Sequence, residues 1–128
     1  MPTEKHAAKT ILIVEDDDSI GEFLRMIISL ETPYYPIVVA DGAQALHVLT
    51  DLKPDLLLLD YRLPEMTGIE LYDRIRASEG LTAVPTIMTS AGDLNAQIGD
   101  RKVTVLHKPF EVDELLEIID TILAKENQ

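Results

Sequence analysis

The sequence has no cysteine, so it can form neither a disulfide framework nor a thiolate metal site. Positive charge is also scarce. Lys and Arg number 11 against 23 Asp and Glu, a formal net charge of −12 at pH 7. A surface of that sign repels phosphate backbones and offers no basic stripe for nucleic acid, so no direct nucleic acid binding by this chain is expected. A cationic metal or a basic protein surface suits it better as a partner. Long hydrophobic runs are missing too, and no apolar stretch reaches the length of a membrane span. The opening MPTEKHAAK lacks the apolar core of a secretory signal, so a cytoplasmic location without a membrane partner is expected.

What is present fits one globular unit. The chain has 128 residues, 46% of them hydrophobic and 27% charged, enough to bury a core without staples. A polar tail over 1–9, a single domain over 10–124 and a short tail over 125–128 are expected.

Apolar patterns then alternate between two periods. TILIV (10–14) reads as a strand ending in the acids EDDD (15–18). Ser19 can cap a helix whose apolar positions Ile20, Phe23, Leu24, Ile27 and Ile28 share one face. TPYYP breaks the pattern, and IVVA (37–40) resumes as a strand. A short helix is expected from about Ala43, with Leu46 and Leu49 inward. DLLLLDYRLP (55–64) drives four leucines into a carboxylate, as a strand buried on both faces would. A helix carrying Ile69, Leu71, Tyr72 and Ile75 follows the turn RLPEMTG. Pro85 opens a fourth strand, TIMT (86–89), and VTVL (103–106) is a fifth. The last helix carries Val112, Leu115, Leu116, Ile119, Ile122 and Leu123. Five such alternations predict an α/β fold, a doubly wound five-stranded parallel sheet with helices on both faces. In such sheets ligands gather at the carboxyl ends of the strands, near the switch in strand order.

The strand ends carry chemistry. The first delivers Glu15 and Asp16, the third Asp60, the fourth Thr89 and Ser90, and the fifth Lys108 with Pro109. Each alone has a plain structural reading. Acids suit a helix N-terminus, a strand-end Asp caps a turn, and Lys-Pro is itself a turn. All of them meeting at one sheet edge is harder to explain that way. Glu15, Asp16 and Asp60 sum to −3 and Lys108 returns +1, leaving −2, which one divalent cation balances. Oxygen ligands without cysteine or a well-placed histidine suit Mg²⁺. A metal-held carboxylate beside a lysine and a hydroxyl can receive a phosphoryl group and spread its charge.

With the motifs ILIVEDDDSI, DLLLLDYRLPEMTGIEL, PTIMTSA and HKPF in this order, the chain resembles the receiver domain of two-component response regulators over about residues 10 to 124. The resemblance implies a flavodoxin-like fold and a signalling phosphoacceptor, not a conventional enzyme. It implies that Asp60 takes a phosphoryl group from a sensor histidine kinase or phosphotransfer protein. It further implies that Asp16 binds Mg²⁺ directly, Glu15 through a metal-bound water, and Arg62 through its backbone carbonyl. Ser90 and Lys108 would hold the transferred phosphoryl group. Gly68 would be the turn residue that lets the next helix begin. A downstream protein partner is implied without being identified.

Three features depart from the family pattern. Glu15 stands where Asp is commoner. Val105 stands where many members carry an inward-swinging Tyr or Phe. The stretch 91–102, with Gly92 and Gly99, is short by about one turn, so a stunted fourth helix is expected. Two other readings remain at this level. One is a scaffold receiver that takes no phosphate, which the intact Asp60, Ser90 and Lys108 disfavour. The other is an aspartyl-phosphate hydrolase of the haloacid dehalogenase kind, which needs a second Asp where Arg62 stands. No GxGxxG or GxxxxGK[ST] motif supports nucleotide binding. His6, His47 and His107 read as non-ligands.

Overall fold

The computed structural model describes residues 9–78 and 80–125. The expectations for His6 and the rest of the tail up to residue 8, and for residues 126–128, lie outside the described residues. The elements are β1 (Thr10–Val14), α1 (Asp18–Glu31), β2 (Tyr35–Val39), α2 (Gly42–Val48), β3 (Leu56–Asp60) and β4 (Arg62–Leu63). They continue as β5 (Met66–Thr67), α3 (Gly68–Arg76), β6 (Thr86–Ser90), α4 (Asn95–Ile98), β7 (Val103–His107) and α5 (Val112–Lys125). The five long strands form one parallel sheet in the order β2-β1-β3-β6-β7. This is the expected doubly wound, flavodoxin-like arrangement, and the strand order switches between β1 and β3.

Side-chain alternation divides the core in two. Ile11, Ile13, Leu56, Leu58 and Ile87 face α1 and α5, where Leu24, Ile28, Leu115, Ile119 and Leu123 meet them. Leu12, Val14, Leu57, Leu59 and Met88 face the other way, against Ala45 of α2 and Ile69, Leu71, Tyr72 and Ile75 of α3. Every leucine of β3 is at most 2% exposed. That two-sided burial is why the strand reads as a continuous apolar run. Each leucine so buried stabilises the fold by about 1.5–3 kcal/mol, as an upper estimate.

Several local expectations are corrected. The cap of α1 is Asp17, whose carboxylate accepts from the Ile20 N–H at 2.9 Å, while Ser19 lies inside the first turn. Within the proposed inward face, Leu24 and Ile28 are buried but Ile20 and Phe23 are 42% and 44% exposed. A single neighbouring sheet cannot cover a stripe that wide. β2 begins at Tyr35 and includes Pro36, two residues earlier than IVVA. As an edge strand pairing only with β1, it tolerates the missing N–H. In the second helix Ala45 and Leu49 are buried, whereas Leu46 is only half-buried. β6 runs on through Ser90.

A two-stranded hairpin, β4 with β5, follows Asp60 and has no counterpart in the sequence reading. Glu65 turns it with a φ of 67°, after Pro64, as a type II turn requires. The fourth helix is stunted as expected: α4 has four residues and none of them is buried. Gly99 ends it at a φ of 55°, a conformation that favours glycine.

Candidate functional site

β3 is a fixed post for Asp60. Its neighbours β1 and β6 pair with it on both sides, and Asp60 stands opposite Thr89 in the register. Asp60 is 7% exposed, and both carboxylate oxygens are engaged. Oδ1 accepts from the Arg62 N–H at 3.2 Å, and Oδ2 lies 3.2 Å from the Lys108 ammonium. Among the described residues no buried side-chain nitrogen or oxygen lacks a partner.

Gly68 works differently from the sequence reading. It is the first residue of α3, and the cap is Thr67, which shares a capping box with Glu70. A Cβ at Gly68 would sit 2.7 Å from the Asp60 carbonyl oxygen and 3.0 Å from the Tyr61 Cα. Glycine is therefore required by close approach of α3 to the end of the acid strand, not by a turn conformation.

β1 supplies the other acids. Glu15 donates its N–H to the Val39 carbonyl at 3.0 Å, and its carboxylate accepts from the Asp17 N–H at 3.0 Å. Glu15 is 6% exposed. Burial pushes its carboxyl above the ordinary value; the Asp17 N–H opposes this and the nearby Asp60 charge adds to it. Asp16, next along, is exposed. Carboxylate oxygens of Glu15, Asp16 and Asp60 all lie within 4.8 Å of one another. Three acids that close resist ionising together without a cation, and an all-oxygen donor set fits a hard divalent ion.

β6 and β7 close the opposite side. Ser90 is 4% exposed, and its hydroxyl donates to the Gly92 carbonyl at 3.1 Å while accepting from the Gly92 N–H at 3.0 Å. The Lys108 N–H donates to the Ser90 carbonyl at 2.8 Å, which fixes the lysine beside the serine. The following Lys108–Pro109 peptide bond is cis. Val105 is half-buried, and His47 and His107 are exposed and do not belong to the acid cluster.

Two cavities meet at Asp60. One, of about 420 Å³, brings together Asp16, Asp60, Arg62, Ser90 and Lys108. The other, of about 480 Å³, touches Glu15, Asp60 and Lys108 and is walled by Ile20, Phe23 and Phe110. All the residues picked out at the strand ends thus border one of two adjoining spaces. The apolar wall was missed. Its signal was the surplus width of the α1 stripe, more apolar positions than a single face buries. Chemically, the site holds a nearly buried carboxylate between a backbone N–H and an ammonium, beside a pair of acids that a cation would balance.

Comparisons with known proteins agree with this geometry. A family model described as the response regulator receiver domain matches residues 11–120. The phosphate regulon transcriptional regulatory protein PhoB of Pseudomonas aeruginosa is 37% identical over 122 residues, covering 91% of this chain and 52% of that protein. Sporulation initiation phosphotransferase F of Bacillus subtilis is 36% identical over 118 residues, covering 88% of this chain and 92% of that one. The signal receiver domain of a signal transduction histidine kinase from Syntrophus aciditrophicus superposes with a TM-score of 0.84 at 27% identity, covering 92% of each chain. The chain spans about half the length of PhoB and of the DNA-binding response regulator MtrA of Mycolicibacterium smegmatis.

Proposed function

The chain belongs to the family of response regulator receiver domains, and on that premise we propose that Asp60 is its phosphoacceptor. The observation that carries this is the placement of Asp60: last residue of a strand buried on both faces, with one oxygen on the Arg62 N–H and the other on Lys108. A carboxylate oxygen attacks phosphorus on the phosphohistidine of a sensor kinase or phosphotransfer protein. The O–P bond forms as the P–N bond breaks, and the imidazole leaves with the bonding pair. Lys108 stays with the charge that arrives, and Ser90 can exchange its Gly92 partner for a phosphoryl oxygen.

Glu15, Asp16, Asp60 and the Arg62 carbonyl would hold Mg²⁺, which when bound neutralises the crowded acids and the incoming phosphoryl oxygens. The carboxylate cluster supports this ligand set. The exposed Ile20 and Phe23 beside Asp60 support docking of a protein as donor, since a small anion needs no apolar wall. Such a domain is a signalling protein that at most catalyses its own phosphorylation and dephosphorylation. Its working unit is residues 10–124 and its compartment the cytoplasm; among the described residues no helix is long and apolar enough to cross a membrane. Output passes to a protein partner, for which a net charge of −12 is better suited than nucleic acid.

The test is direct. With Mg²⁺ and a small acyl phosphate the protein should gain one phosphoryl adduct by mass, and Asp60→Asn should gain none. Full labelling of Asp60→Asn would refute the assignment.

A further inference from the structure

The segment between β6 and β7 cannot hold itself in place. α4 is a single turn that buries none of its residues, and isolated turns are unfavourable because nucleation costs more than one hydrogen bond returns. Besides Ile98, which packs half-buried against the core, two attachments fix it. Leu94, 3% exposed, is sunk in the core on the α2–α3 side. The second is Arg101. Its Nε donates to Asp73 Oδ1 at 2.7 Å and its Nη2 to Asp73 Oδ2 at 2.6 Å, a two-pronged grip on α3. Its Nη1 also donates to the carbonyls of Gln97 at 2.8 Å and Ile98 at 3.3 Å. One side chain therefore caps the end of α4 and fastens it to another helix.

We propose that the Arg101–Asp73 fork is the restraint that sets how readily segment 91–102 leaves the arrangement in which Ser90 is bonded to Gly92. It thereby sets how readily Ser90 can turn toward a phosphoryl group on Asp60; this second half rests on Asp60 being the phosphoacceptor. Exposed ion pairs usually stabilise little, and these side chains are 33% and 49% exposed. Two things distinguish this one. Its geometry is bidentate, which adds strength and direction. The element it holds has few other attachments, so a small bias decides its population. Arg101 is in this sense a positioning residue that touches no reacting atom.

The experiment is amide hydrogen exchange on the full chain without any phosphoryl mimic, in wild type, Asp73→Asn, Arg101→Gln and the double variant. Each single change should speed exchange across 94–101 several-fold, and the double variant should match Arg101→Gln. Arg101→Lys, which keeps the charge and loses the fork, should fall between. Unchanged exchange, or effects that multiply in the double variant, would overturn the restraint. A second reading is beryllofluoride affinity with Mg²⁺, which should tighten by the factor by which exchange rises. Faster exchange with unaltered affinity would overturn the link to Ser90. A wild type that takes up no beryllofluoride would refute the Asp60 reading and that link, while the exchange cycle still decides the restraint.

Discussion

Two segments meet at the site and are held in opposite ways. β3 lies inside the sheet, paired on both sides and covered on both faces, with every leucine at most 2% exposed. Segment 91–102 leaves β6 through Ser90 and is held by Leu94 in the core, by Ile98 half-buried against it, and by an ion pair at its far end. A nucleophile gains from a position it cannot leave, because a misplaced attacking atom loses rate. A switch gains from the reverse, an element with two arrangements of similar free energy. On the proposed reading these needs fall to adjoining strands. Asp60 and Ser90 border the same cavity, one on the fixed side and one on the movable side.

The sharpest way to separate the two regions is by truncating one leucine in each. Leu58→Ala should cost about 2–5 kcal/mol in urea unfolding, the range for a leucine removed from a core that cannot collapse. Leu94→Ala should cost less, about 2 kcal/mol or below, with faster exchange confined to 91–102, because that segment can open without the sheet. Equal losses spread over the whole chain would erase the distinction.

Gly68→Ala tests whether the post tolerates a shift. The added methyl meets the Asp60 carbonyl at 2.7 Å, and relieving it should cost about 1–3 kcal/mol. Because the displaced backbone carries the acid, acyl-phosphate labelling should slow even where the fold is intact. Unimpaired labelling in a destabilised variant would show that Asp60 does not depend on this close approach.

The smallest effect concerns Glu15. Its carboxyl is raised in the folded chain, chiefly by burial, above its unfolded value. Its contribution to stability is therefore fully present below the unfolded value and is lost as pH rises through the raised one. Glu15→Gln keeps an acceptor for the Asp17 N–H and carries no charge to desolvate. Without divalent cation it should be slightly more stable than wild type at neutral pH, and the difference should vanish on acidification. Melting curves across that range, with and without Mg²⁺, read it directly. A variant less stable than wild type at neutral pH would mean the buried charge is already compensated.

How far the sequence discloses this division depends on the range of the cause. The LLLLD run, the alternation of patterns and the strand-end residues are local or sequential features, and they lead to the sheet, the switch point and the acid cluster. The cap of α1 was misassigned because four residues in a row, Asp16 to Ser19, can all serve as caps, and only backbone geometry chooses Asp17. Pro36 looked like a strand breaker, and its place on an edge is a tertiary fact. Ile20 and Phe23 share a face with Leu24, but periodicity does not say how much of a face is covered. The Arg101–Asp73 pair joins residues 28 apart, with no pattern between them to announce it.

The most direct test of a fixed acid beside a movable segment is a map of amide chemical shifts with and without beryllofluoride and Mg²⁺. A phosphoryl-like group adds charge and acceptor oxygens at Asp60, and Ser90 is the strand-end residue whose present partner, Gly92, lies in the loop. Val105 has no ring to relocate and one stiff χ1, so β7 offers no ring movement to carry the change. Large shifts are predicted across 91–102, with those in α5 small and β3 disturbed only at Asp60 itself. Large changes along the last helix with a silent 91–102 segment would contradict the account.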